Sequence, residues 1–126
     1  MTTQIATTTE QSQRLIDCGV PIDTADMSRN TDTNELFLEP YRERGIEQKG
    51  DEIPTWSLTG LFDMLSRQGV FSLTFGMMSC CIEINEYDKY KKSRGRFSTT
   101  HIMGGTALKV AVNTIGYLAN KGRLKV

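Results

Sequence analysis

The chain has 126 residues, 38% of them hydrophobic and 24% charged, which suits one domain of radius about 14 Å and leaves no apolar run of the roughly 20 residues that a membrane-spanning helix needs. Fifteen basic and fifteen acidic side chains cancel, but residues 1–86 carry 14 acids against 6 bases while residues 87–126 carry Asp88 alone against 9 bases. Three cysteines, Cys18, Cys80 and Cys81, rule out a paired disulfide framework and fit free thiols in a reducing compartment.

The first residues are rich in threonine and have neither the basic flank nor the apolar stretch of a signal peptide, so a cytoplasmic location is expected, with residues 1–7 disordered. Thr7 with Glu10 and Thr8 with Gln11 both match the capping box, which predicts a helix over 9–17 that buries Leu15 and Ile16 and stops at Gly19. Pro21 blocks continuation, and Asp23 is placed to cap a single turn through Met27. Residues 28–51 are polar and mixed in charge, with one strand-like island at Leu36–Leu38. They read as a long loop region open to movement, packed through Leu36, Phe37, Leu38 and Ile46 or free for a partner.

Ser57 is a good N-cap, and Leu58, Leu61, Phe62 and Leu65 recur at helical spacing, so a helix is predicted over 58–67. Trp56 precedes the cap as a hydrophobic staple on Leu61, and Asp63 with Arg67 makes a weak pair on the wet side. Val70–Phe75 alternates, as do Met78, Cys80, Ile82 and Ile84, which predicts an antiparallel hairpin turning near Gly76, with one long bulged strand as the other option. Residues 87–95 form a charged turn and 96–102 a third, weaker strand. Thr106 caps a last helix with Leu108, Ala111, Val112, Ile115, Leu118 and Ala119 on one face, ending at Gly122. Gly116 within it signals close backbone approach or a poorly packed turn.

Three blocks, Thr8–Met27 (TTEQSQRLIDCGVPIDTADM), Ile53–Leu65 (IPTWSLTGLFDML) and the closing helix Thr106–Leu118 (TALKVAVNTIGYL), resemble a family of small, uncharacterised proteins of gut Bacteroidales, their prophages and mobile elements. The resemblance implies a bacterial or phage origin and supplies no catalytic residue. Phe75–Glu83 (FGMMSCCIE) is similar to the paired-cysteine stretch of the iron–sulfur subunit of respiratory complex I, but a four-iron cluster takes four thiolates and this chain has three.

Chemistry has few anchors. Zinc would have to draw on Cys18, Cys80 or Cys81, and His101 with a carboxylate, and no close-spaced ligand pair starts such a site. Cysteine–histidine catalysis would rest on His101, the sole histidine, with Cys80 or Cys81. Asp23 with Asp26, and Asp51 with Glu52, read as helix-start acids rather than an acid–base pair. There is no phosphate loop, dinucleotide fingerprint or nucleophile elbow. Gly104, Gly105 and Thr106 could offer free amides to an anion at a helix start. Lys89, Lys91, Lys92, Arg94 and Arg96 are the candidate contacts for a polyanion or a protein partner.

The expectation is therefore a single α+β domain over 1–126. A small antiparallel sheet of two to four strands is packed by two or three helices, without metal or cofactor. The leading functional reading is a non-catalytic binding or regulatory protein acting through protein contacts, with a homo-oligomer as an option. A nucleic-acid binder using 89–96 and the tail of Lys121, Arg123 and Lys125 is the alternative, and a small nucleotide-binding or anti-defence protein the third.

Overall fold

A computed structural model describes residues 5–45, 50–68, 71–75, 80–87, 97–104 and 106–125. The first helix, α1, is Thr9–Asp17. Of the two capping boxes offered, Thr8 with Gln11 forms: Thr8 Oγ1 accepts from Gln11 N at 3.2 Å, and Gln11 Oε1 accepts from Thr8 N at 3.0 Å. Thr7 is buried instead, its Oγ1 2.7 Å from Ser12 Oγ and accepting from Trp56 N at 3.1 Å. Ile5 O accepts from Leu58 N, and Ala6 pairs antiparallel with Ser57. The expected loose start therefore does not include residues 5–7. Once Trp56 is buried, the backbone beside it needs partners, and this segment supplies them. Gly19, at φ +96°, ends the helix in the left-handed conformation as expected.

The segment 28–51 is where the sequence reading needs most correction. β1 (Met27–Asn30), β2 (Leu36–Phe37) and β3 (Glu52–Thr55) form an antiparallel sheet in the order β2-β1-β3. Asn30 Oδ1 accepts from the amides of Asp32 and Thr33 at 2.8 and 2.9 Å, and Asn34 takes a positive φ of 64°, so asparagine turn chemistry closes the β1–β2 connection. The residue buried at the centre of β1 is Ser28, held by a 2.6 Å bond to Glu52 Oε1 rather than by apolar contact. Pro54 sits in β3, whose one strand neighbour among the described residues is β1, so its missing N–H is tolerated. Leu38 is 73% exposed rather than packed, while the Arg44 guanidinium lies 4.2 Å from the centre of the Phe37 ring. Ile46 lies outside the described residues. The turn after Pro21 is a 3₁₀ turn, Ile22–Thr24, with no side-chain cap from Asp23, and Asp51 and Glu52 border β3 rather than a helix.

The helix α2, Leu58–Ser66, starts as read: Ser57 Oγ accepts from Gly60 N at 2.9 Å. β4 (Phe71–Phe75), β5 (Cys80–Tyr87) and β6 (Phe97–Gly104) form a second antiparallel sheet in the order β4-β5-β6. The hairpin option holds over the bulged strand, with Phe75 opposite Cys80 and Phe71 opposite Ile84. α3, Ala107–Asn120, packs on β5 and β6, while α2 packs chiefly on α3 and α1 packs on α3 and β3. One core joins Leu15, Trp56, Leu61, Leu65, Ile82, Val110, Ile115 and Leu118. Eight residues of α3 are buried, more than a single stripe, because sheet and helices surround it. Its Gly116 faces Cys18, whose Sγ would stand 3.5 Å from an added Cβ. The result is the expected α+β domain, with a second small sheet that the sequence did not announce. Among the described residues, no helix is long and apolar enough to cross a membrane.

Candidate functional site

The chain enters α2 through a cluster of polar groups drawn from distant positions. Trp56 is fully buried, and its indole Nε1 donates to Thr24 Oγ1 at 2.9 Å, while Thr24 Oγ1 donates to Pro21 O at 2.6 Å. The Asp26 carboxylate accepts from Ser57 N at 2.8 Å and from the Ser57 hydroxyl. Ser57 thus faces two ways, donating to Asp26 and accepting from Gly60 N. The acid and the hydroxyl together satisfy amides that open the helix, and the negative charge lies at the positive end of the helix dipole. A glycine at 60 is required by this arrangement, because a Cβ there would lie 2.9–3.0 Å from the Asp26 carboxyl atoms.

Outside this cap is an open cleft of about 720 Å³, lined among others by Asp23 from the 3₁₀ turn, Arg42 from the turn Tyr41–Glu43, and Thr59, Asp63 and Arg67 from α2. That volume falls in the range of small-molecule sites. Asp63 and Arg67 pair with each other at 2.8 Å across one helical turn and are about 60% exposed, as the sequence suggested. Asp23 and Arg42 are exposed and have no ion pair or hydrogen bond among the described residues. Their neighbour Arg44 differs. It makes a two-pronged contact to Glu52 at 2.8 and 3.0 Å and reaches Glu39 at 3.3 Å. The hydrogen bond to Glu52, more than offsetting the lowering effect of burial, holds the Arg44 guanidinium charged beyond its ordinary range. Arg44 therefore fixes the turn that presents Arg42, and leaves Arg42 as the unpaired cation of the cleft among the described residues.

The residues singled out from sequence stand elsewhere. Lys89, Lys91, Lys92, Arg94 and Arg96 lie outside the described residues, as does Gly105. Gly104 ends β6 opposite Cys80, and Thr106 Oγ1 accepts from Lys109 N at 3.1 Å, so the threonine serves as an N-cap. Lys121 and Lys125 are exposed beyond the end of α3, and the Lys121 ammonium lies 4.5 Å from the centre of the Tyr117 ring. Cys18 and Cys81 are free and half-buried. In the β5–β6 register Glu83 is opposite His101, with Cys81 two positions earlier on β5. Cys81 does not line the cleft. Among the described residues no group of three or more His, Cys, Asp or Glu side chains is arranged to hold a metal ion.

Neither the contact of Asp26 with the Ser57 cap nor the cleft beside it is legible in the sequence. Asp26 and Ser57 are 31 positions apart, and the single local signal is the glycine in the first turn of the helix. Chemically, Ser57 with Asp26 lacks an imidazole between nucleophile and acid, and the serine is 8% exposed with both its donor and acceptor roles filled. The cleft offers charge of both signs, hydroxyls and helix surface, which suits recognition. Comparison with protein-family models, with curated proteins and with solved structures found no match.

Proposed function

We propose that the protein is a non-catalytic binding protein that grips a charged segment of a protein partner in the cleft between the 3₁₀ turns and the start of α2. The observation that carries this reading is the pair Asp23 and Arg42, two exposed charges of opposite sign on the cleft lining that no group of the described fold neutralises. The surrounding polar groups, Asp26, Ser57, Thr24 and Arg44, are committed to the fold and present a rigid frame, which limits the ordering cost of binding. A partner segment carrying an acid and a base would complement both charges at once. The block resemblance to the Bacteroidales family supports a bacterial or phage setting.

The test is selection of peptides on the intact protein, followed by affinity measurement on Asp23→Lys and Arg42→Glu. Enriched peptides should carry both charge signs, and each reversal should weaken them by about tenfold. Enrichment of uncharged peptides, or affinities indifferent to both reversals, would contradict the reading. The exposed Lys121 and Lys125 favour a second reading, nucleic-acid binding through the tail with the turn 89–96. Loss of retention on a polyanion column at low salt after neutralising Lys121, Arg123 and Lys125 would support it, and absence of retention by the native chain would end it.

A further inference from the structure

A strand at the border of a sheet shows half of its backbone donors and acceptors to whatever lies beside it. In an antiparallel ladder, alternate residues bond to one neighbour and the intervening ones point outward. β6 occupies that position in the order β4-β5-β6, and among the described residues no strand pairs with its other side. Proteins protect such borders with short strands, lysines, prolines or bulges. β6 has none of these. It runs eight residues, Phe97–Gly104, contains no Lys, Arg, Asp, Glu or Pro, and keeps unbroken register with β5 from Tyr87–Phe97 to Cys80–Gly104. The other borders are poorer templates: β4 has five residues, β2 has two, and β3 contains Pro54.

We infer that β6 is an assembly edge, on which β6 of a second copy adds in antiparallel orientation about a two-fold axis to make one six-stranded sheet. Charge selects the orientation. Five cations, from Lys89 to Arg96, precede Phe97 in the chain. Parallel pairing would set the two Phe97 ends, each preceded in the chain by these five cations, side by side. Antiparallel pairing sends the two Phe97 ends to opposite ends of the new ladder, about 27 Å apart for eight residues, well beyond the roughly 8 Å screening length of physiological salt. Pairing of β6 with itself also closes after two copies, whereas β4 on β6 would continue without end. Contact through one strand pair is smaller than a standard interface of about 1,600 Å², so the dimer is a weak one whose population depends on concentration.

The test is the mass of the full chain in solution from low-micromolar to sub-millimolar concentration, with amide hydrogen exchange read residue by residue over the same range. Mass should rise from one chain towards two. Alternate amides of β6 should slow by about tenfold with concentration while those of β4 stay constant. Thr99→Pro and Thr100→Pro remove neighbouring donors, one facing β5 and one facing outward. The outward one should give a folded monomer. A single-chain mass throughout, a dimer with unchanged β6 exchange, a folded dimer in both proline variants, or open-ended polymer would each overturn the inference. The exchange measurement on the native chain decides even if both variants fail to fold.

Discussion

Gly60→Ala isolates the contact that organises the candidate site. In an ordinary helix this change stabilises by up to about 1 kcal/mol, because alanine loses less backbone entropy than glycine. Here the new Cβ would stand 2.9–3.0 Å from the Asp26 carboxyl atoms, a separation that carbon and oxygen do not tolerate. The carboxylate would have to leave Ser57 N, now at 2.8 Å, and the Ser57 hydroxyl. Hydrogen bonds to a charged group contribute about 1.5–3 kcal/mol each, and their partial loss outweighs the helix gain, for a net destabilisation of about 1–2 kcal/mol. Removing the obstacle reverses the sign: in an Asp26→Ala background, Gly60→Ala should stabilise by about 0.5–1 kcal/mol. Urea unfolding of the native chain, both single variants and the double variant gives the coupling directly, expected at about 2 kcal/mol. Equal effects of Gly60→Ala in both backgrounds would refute the reasoning.

Other expectations follow from the same interior. Among the described residues Gly116→Ala meets only Cys18 Sγ, at an ordinary 3.5 Å, so it should raise stability by about 0.5–1 kcal/mol in thermal or urea unfolding, in contrast to Gly60. Thr24→Val leaves the buried Trp56 indole N–H without its acceptor and should cost about 1–3 kcal/mol, seen also as a shift in tryptophan emission. Arg44→Met should lower the melting temperature and release the turn that carries Arg42, because Glu52 loses its two-pronged partner. The Arg44 value is raised on folding, so its stabilisation is complete below the unfolded value and is lost only as pH rises through the folded one. A melting series from pH 6 to 10 should therefore show the same native-minus-variant difference throughout.

The local signals were legible in the sequence. Thr8, Ser57 and Thr106 cap helices within three residues of their partners, Gly19 and Gly122 stop them in the left-handed region, and the alternation in 70–84 places the hairpin. What escaped depends on pairs far apart in the chain. β1 has no apolar alternation because its buried residue is Ser28, satisfied by Glu52 at a distance of 24 positions, and Glu52 in turn depends on Arg44. Thr7 fitted a capping box by spacing, but its neighbour Thr8 caps equally well, and Trp56 draws Thr7 into the core. The cleft could not be read because Asp23 and Arg42 share a lining with α2 only through the packing of the two 3₁₀ turns on each other. The opposed charge blocks did show through, but as composition and not as position.

The most direct measurement is amide chemical-shift mapping of the native chain with a selected peptide carrying both charge signs, repeated on Asp23→Lys and Arg42→Glu. The shifts should cluster at 21–26, 41–44 and 59–67, and should fade in both variants while thermal stability stays within about 0.5 kcal/mol of native. Shifts centred on the tail at 121–125 or on the β4-β5-β6 sheet, with undiminished affinity in the two reversals, would contradict a binding cleft at the start of α2.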